Sequence, residues 1–150
     1  MKQVEIHRHV EAPVERVWAI AADLAGAPRT LTGVQRVEVL TPGPFGVGTR
    51  WRETRTMFGR EATEEMAVTD LRAGRAYTVE ATSSGARYVS TFTFEPAGSA
   101  ETDVTLTFGA HATTAVARVL GVLTAPIARR SVAKALRGDL EDLARAAETG

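Results

Sequence analysis

Hydrophobic and polar positions change their period only twice along this chain. Over residues 2–10, KQVEIHRHV, they alternate, which predicts a strand with Val4, Ile6 and Val10 on one face. The next stretch, EAPVERVWAIAADL, turns helical. Pro13 suits a first turn, Glu15 lies near the start, and Val14, Val17, Trp18 and Leu24 recur at helical spacing. AGAPRTLTG reads as a short second helix or a loop. From Val34 to Ala110 the period is two almost throughout, broken at TPGPFGVG, MFGR, LRAGR, SSGA and EPAGSAE, which makes six more strands in a meander. From about Thr113 to Glu148 the pattern is helical again. Its early stripe is Val116, Leu120, Leu123 and Ile127, and its later one Val132, Leu136, Leu140 and Leu143. The step from 127 to 132 interrupts the rhythm beside Pro126. Proline removes a helical hydrogen bond and crowds the preceding turn, so a kink or break is expected there.

One strand, a helical hairpin, six strands and a long helix is an α+β order, β-α-α-β6-α. Composition narrows the picture without altering it. With 150 residues, 44% of them hydrophobic and 24% charged, the chain suits one globular domain, residues 1–150, with a real core. Eighteen basic residues balance eighteen acidic ones, so no global field gathers nucleic acid or an anionic membrane surface. Zero cysteines exclude a disulfide scaffold and thiolate metal sites. VLGVLTAPIA is too short to span a bilayer and MKQVEIHRHV lacks the apolar block of a signal peptide, so a cytoplasmic protein with no membrane insertion is expected.

Four stretches carry a resemblance: APVERVWAIAADL after the first strand, GVGTRWRET opening the third, FGREATEEM at the following hairpin, and LRGDLEDLARAAE near the end. Together they make the chain resemble the START-like, or SRPBCC, superfamily, in particular its polyketide cyclase/dehydrase and lipid transport branch, over essentially its whole length. The resemblance implies a helix-grip fold, in which a curved seven-stranded antiparallel sheet wraps a long C-terminal helix and leaves a cavity between them. Members carry lipids, sterols, hormones or aromatic polyketides, and a minority catalyse. These are motifs of a fold, and no universal catalytic motif comes with them.

Hairpin register supplies the cavity wall. With Phe58-Gly59 at the centre of a turn, Trp51 faces Met66, Thr49 faces Val68 and Glu53 faces Glu64, while the other face pairs Arg52 with Glu65 and Thr54 with Thr63. Charged and hydroxyl pairs suit a solvated surface, so the Trp51 face is the inner one. A turn at Ser84-Gly85 likewise opposes Ala81 to Tyr88, Val79 to Ser90 and Tyr77 to Phe92. Across the sheet the inner rows read Thr49, Val68, Tyr77, Phe92, Leu106; then Trp51, Met66, Val79, Ser90, Phe108; then Glu53, Glu64, Ala81, Tyr88. Polarity rises toward one end, where Tyr88 can lean across Ala81 toward Glu64 and Arg55 sits diagonal to Glu64.

That end admits two readings. Neighbouring carboxylates disfavour simultaneous ionisation, so Glu53 and Glu64 are candidates for an acid-base pair with Tyr88 as proton donor or orienter. Alternatively, Arg55 neutralises both glutamates in a structural network. Candidate ligand contacts are Trp51, Glu53, Arg55, Glu64, Met66, Tyr77 and Val79, with Tyr88, Ser90, Phe92, Leu106, Phe108, Leu120 and Leu123. Arg8 shares the face of Ile6 and Val10 and is a secondary candidate. Trp18 is expected to pack the first helix onto the sheet.

Other chemistries find less support. His7 and His9 alternate with the apolar face and point outward, and His111 does not join them, so no zinc site is expected. GPFGVG lacks the lysine and the following helix of a phosphate loop, and there is no G-x-S-x-G elbow. Arg129 and Arg130 read as a solvated face. No cofactor is expected. The favoured function is binding or transport of a small hydrophobic or aromatic molecule with one polar end, lipid, polyketide or steroid-like. A polyketide aromatase, cyclase or dehydratase is the alternative from another class. A co-chaperone-like protein-partner module is the third, for which the sequence offers no exposed apolar stripe.

Overall fold

Strand β1 (Val4–Val10) leads through Pro13, the N-cap, into helix α1 (Val14–Ala22), with Glu15 in its first turn. The chain is described by a computed structural model, which covers the backbone of residues 3–57, 59–83 and 85–149 and the side chains of these except 57, 83 and 116–129. Helix α1 stops before Leu24, because Asp23 turns its carboxylate onto the Gly26 amide and starts a 3-10 turn over Leu24–Gly26. A four-residue helix α2 (Ala27–Thr30) follows, and the pair fills the stretch expected to be a short helix or loop.

The meander comprises β2 (Val34–Val39), β3 (Arg50–Met57), β4 (Arg60–Arg72), β5 (Ala76–Ser83), β6 (Ala86–Pro96) and β7 (Thr102–Ala112). With β1 they form one antiparallel sheet in the order β1-β7-β6-β5-β4-β3-β2, so the crossover that carries α1 and α2 places β1 beside β7. Helix α3 (Ala115–Thr149) lies in the curve of the sheet, and the architecture is the helix-grip fold. Among the described residues no helix is long and apolar enough to cross a membrane.

Two hairpins have the expected register. Trp51 opposes Met66, Arg52 opposes Glu65, Glu53 opposes Glu64 and Thr54 opposes Thr63. Gly59, at φ 73°, supplies the left-handed residue of that turn. Ala81 opposes Tyr88, Val79 opposes Ser90 and Tyr77 opposes Phe92, while β6 and β7 oppose Ser90 to Phe108 and Phe92 to Leu106. The β4–β5 register corrects the sequence rows. Val68 opposes Val79 and Met66 opposes Ala81, two residues from the expected pairing, and Thr69 is an extra residue between the Val68 and Asp70 pairs. The turn closes around Gly74 at φ 75°, and the bulge absorbs the odd residue. An even shift keeps every side chain on its face, so the wall survives while its rows slide.

Facing follows the alternation. Trp51 is 3% exposed and Arg52 on the opposite face is exposed. Thr54 is buried although it faces outward, its hydroxyl 2.7 Å from that of Thr63. The core joins Ile6, Val10, Val14 and Val17 to Phe94, Val104 and Leu106 of the sheet and to Leu140, Leu143, Ala144 and Ala147 of α3. The two alanines present no bulk, which lets this end of α3 approach closely. Burial of Leu140 alone contributes about 1.5 to 3 kcal/mol. Trp18 packs edge-on to Phe45, Tyr77 and Phe94, as expected of a residue holding α1 to the sheet.

A break at Pro126 does not occur: α3 is one helix from Ala115 to Thr149. Proline's fixed φ lies close to the helical value, so a proline within a helix costs a hydrogen bond without having to end it. Val116, Leu120, Leu123 and Ile127 lie outside the described side chains.

Candidate binding cavity

Between the inner face of the sheet, α3 and the α1–α2 corner lies a cavity of about 410 Å³. Trp51, Met66, Val79, Phe92 and Phe108 line it from the sheet, and Val132, Leu136, Leu140 and Leu143 from α3. Leu24, Leu31 and Phe45 close the corner. A more open depression of about 520 Å³ lies outside, over Arg36, Glu38, Arg52, Thr54 and Thr63. Its wall is ion-paired surface, with Arg52 3.2 Å from Glu38, and offers nothing comparable to the apolar interior.

Strand β3 sets a base and an acid among large apolar side chains, and the geometry accounts for both. Arg55 Nε donates to Glu53 Oε2 at 2.7 Å, and its two terminal nitrogens donate to the Asp139 carboxylate of α3 at 3.2 and 2.7 Å. Trp51 Nε1 donates to the other Glu53 oxygen at 3.3 Å. Burial penalises the Arg55 charge, but the attraction and hydrogen bonds of Asp139 and Glu53 outweigh it and raise its pKa further. Burial pushes the Asp139 carboxyl up, against the pull of Arg55, and nearby Glu53 and Asp142 add to the rise. One turn on, Asp142 accepts from the amide and hydroxyl of Thr32 at 2.9 and 3.0 Å, which anchors the α2–β2 connection to α3.

Glu64 stands outside this network. Although it opposes Glu53 and lines the cavity, its carboxylate makes no hydrogen bond or ion pair among the described residues. The expectation that Arg55 neutralises both glutamates is corrected: Arg55 takes Glu53 and Asp139, because α3 brings a carboxylate to it in bidentate geometry. Tyr88, Ser90 and Tyr77 also line the cavity with side-chain oxygens that bond to no described residue. Burial pushes the Tyr88 hydroxyl up and Glu64 adds to it, so the two are electrostatic neighbours although Met66, not Glu64, opposes Ala81. Burial also pushes Tyr77 up, reinforced by Glu53 and Asp139. Both phenols remain protonated donors at neutral pH.

Of the remaining expected contacts, Leu106 does not reach the cavity. It is fully buried between its strand partners Ile6 and Phe92, because the core closes over the sheet at that row. Leu120 and Leu123 lie outside the described side chains. Arg8 faces inward but spends its charge on Glu141 of α3 at 2.7 Å, and donates to the His9 carbonyl as well. His7 bonds Thr105 and Glu5, and His9 sits between Asp103 and Glu101, both on the exposed face. Among the described residues no three His, Asp or Glu converge as a metal site.

The sequence rows missed Asp139 and Phe45. Asp139 falls three residues after Leu136 and four before Leu143, inside the apolar stripe of α3, and an acid in a buried stripe is the signal that could have found it. Phe45 had none: it stands in TPGPFGVG, a turn by composition, yet its ring packs edge-on to Tyr77 at 5.0 Å.

A family model described as polyketide cyclase / dehydrase and lipid transport matches residues 1–148. The chain belongs to that family. Its membership supports ligand binding or a polyketide cyclase role in general terms. No curated protein matches this family member. Among solved structures, it is similar to TTHA0849 of Thermus thermophilus, at 24% identity and a TM-score of 0.79 over 96% of this chain and 95% of that one. It is similar to the ZhuI aromatase/cyclase of a Streptomyces species, at 20% identity and a TM-score of 0.81 over 98% and 93%. A START superfamily protein of Mycobacterium smegmatis follows at 17% identity and a TM-score of 0.70 over 94% and 98%. At these identities the likeness is one of fold.

Proposed function

We propose that the chain binds a small, largely apolar molecule, aromatic, polyketide, lipid or steroid-like, with its polar end against Glu64, Tyr88 and Ser90. The observation that supports this most is the contrast within the cavity wall. Glu53, Arg55 and Asp139 satisfy one another, whereas Glu64 and the Tyr77, Tyr88 and Ser90 hydroxyls face the cavity without partners among the described residues. An apolar cavity with a few convergent, unsatisfied polar groups is the usual form of a small-molecule site. A cytoplasmic location belongs to the same reading, supported by the cysteine-free sequence. Displacement of a neutral fluorescent dye from the folded protein tests it: saturable uptake reversed by a competing ligand is expected, and uptake that appears only on unfolding contradicts it.

Aromatase, cyclase or dehydratase chemistry is the second reading, favoured by the family and by a carboxylate with no partner among the described residues near a protonated phenol. In it Glu64, rather than a Glu53/Glu64 pair, takes a proton from the substrate while Tyr88 donates to its oxygen. Both Glu53 oxygens are already occupied by Trp51 and Arg55. Turnover of a poly-β-keto model substrate, lost by about two to four orders of magnitude in Glu64→Gln with binding retained, distinguishes this catalyst from a carrier.

A further inference from the structure

We infer that the cavity selects its ligand by charge, taking molecules whose polar end is a neutral hydroxyl or a protonated amine and rejecting carboxylates of the same shape. The inference rests on the binding reading above and names the class of ligand. Among the described side chains that line the cavity, Asp23, Glu53, Glu64 and Asp139 are acidic and Arg55 is the single base. That base is not free to receive an anion. Its Nε faces Glu53 and both terminal nitrogens face Asp139, so the guanidinium is held between two carboxylates and the trio carries net negative charge.

An entering carboxylate would therefore have to displace a buried bidentate pair, or sit unpaired beside the like charge of Glu64. Neither course is favourable. A hydroxyl or an ammonium meets the opposite situation. Glu64 offers a carboxylate with no partner among the described residues, and a carboxylate only accepts, so the complementary group must donate. The Tyr88 and Ser90 hydroxyls can donate to a hydroxyl or carbonyl oxygen at the same end. Fatty acids and other apolar acids are disfavoured by that charge.

The test is displacement of a neutral dye, N-phenyl-1-naphthylamine, by three naphthalenes of one size at neutral pH: 2-naphthol, 2-naphthylmethylamine and 2-naphthoate. The naphthol and the amine are expected to displace it at concentrations at least about tenfold lower than the naphthoate, which corresponds to about 1.4 kcal/mol of selectivity. Glu64→Gln, with displacement read against the variant's own affinity for the dye, should shrink the advantage of the amine over the naphthoate several-fold. Saturable dye binding with naphthoate competing as well as naphthol overturns charge selection alone. Failure of the dye to bind saturably overturns the binding reading, and the inference with it.

Discussion

Arg55 of β3 and Asp139 of α3 form a bidentate pair, 3.2 and 2.7 Å, that joins the sheet to the gripped helix across the floor of the cavity. Removal of one partner from such a buried pair leaves the other charge uncompensated. Arg55→Ala strands both Asp139 and Glu53 and is expected to cost about 3 to 5 kcal/mol of unfolding free energy by chemical denaturation. A loss below about 1 kcal/mol would show that the network does not hold β3 to α3.

Asp139 carries a pH dependence whose sign follows from its burial. Its carboxyl is raised above 3.8 in the folded state, burial outweighing Arg55, so the folded chain binds its proton more tightly than the unfolded one. The stability contributed by that proton is fully present below about 3.8 and is lost as pH rises through the folded value. Asp139→Asn mimics the protonated acid. Relative to the variant, the native chain should become less stable as pH is raised from about 4 toward 7, measured by parallel denaturant melts. A relative gain over that range would mean that Arg55, not burial, dominates.

Glu64→Gln should behave unlike either. The carboxylate has no partner among the described residues, so unfolding free energy is expected to stay within about 0.5 kcal/mol of the native value. Affinity for a ligand with a donor head should fall by about 1 to 3 kcal/mol, the scale of a lost hydrogen bond to a charged group. A destabilised fold would place Glu64 in the structural network after all.

The sequence made the fold legible because the evidence for it is local. Trp51 opposite Met66 and Val79 opposite Ser90 follow from turns that each contain a glycine, and strand alternation carries the facing outward from there. The β4–β5 register was not legible. The Thr69 bulge and the three-residue loop around Gly74 leave no mark on an alternation whose faces they preserve before the bulge. The site was half legible for the same reason. Glu53, Arg55 and Glu64 lie on one hairpin, whereas the partner that decides Arg55's role arrives from a helix 84 residues away. Periodicity shows that Asp139 lies in a buried stripe, but not which strand it meets.

On the outer face, His9 lies 2.7 Å from Asp103 and 2.8 Å from Glu101. The hydrogen bond to Asp103, then that to Glu101, raises its pKa above 6.5. Its stabilising contribution is present below 6.5 and disappears as pH rises through the folded value. A ring-proton NMR titration should place His9 above 6.5, and Asp103→Asn should bring it down. An unchanged midpoint in the variant would remove Asp103 as the cause.

Equilibrium titration of the folded protein with neutral aromatics, steroids and lipid alcohols shows whether the helix grip encloses a working binding cavity. Trp51 lies on the wall and reports occupancy by its fluorescence. At least one member of the panel should bind saturably at one equivalent, be displaced by another, and raise the melting temperature as its concentration exceeds its dissociation constant. If no member binds the folded chain saturably, the cavity is not a ligand site and the account is wrong.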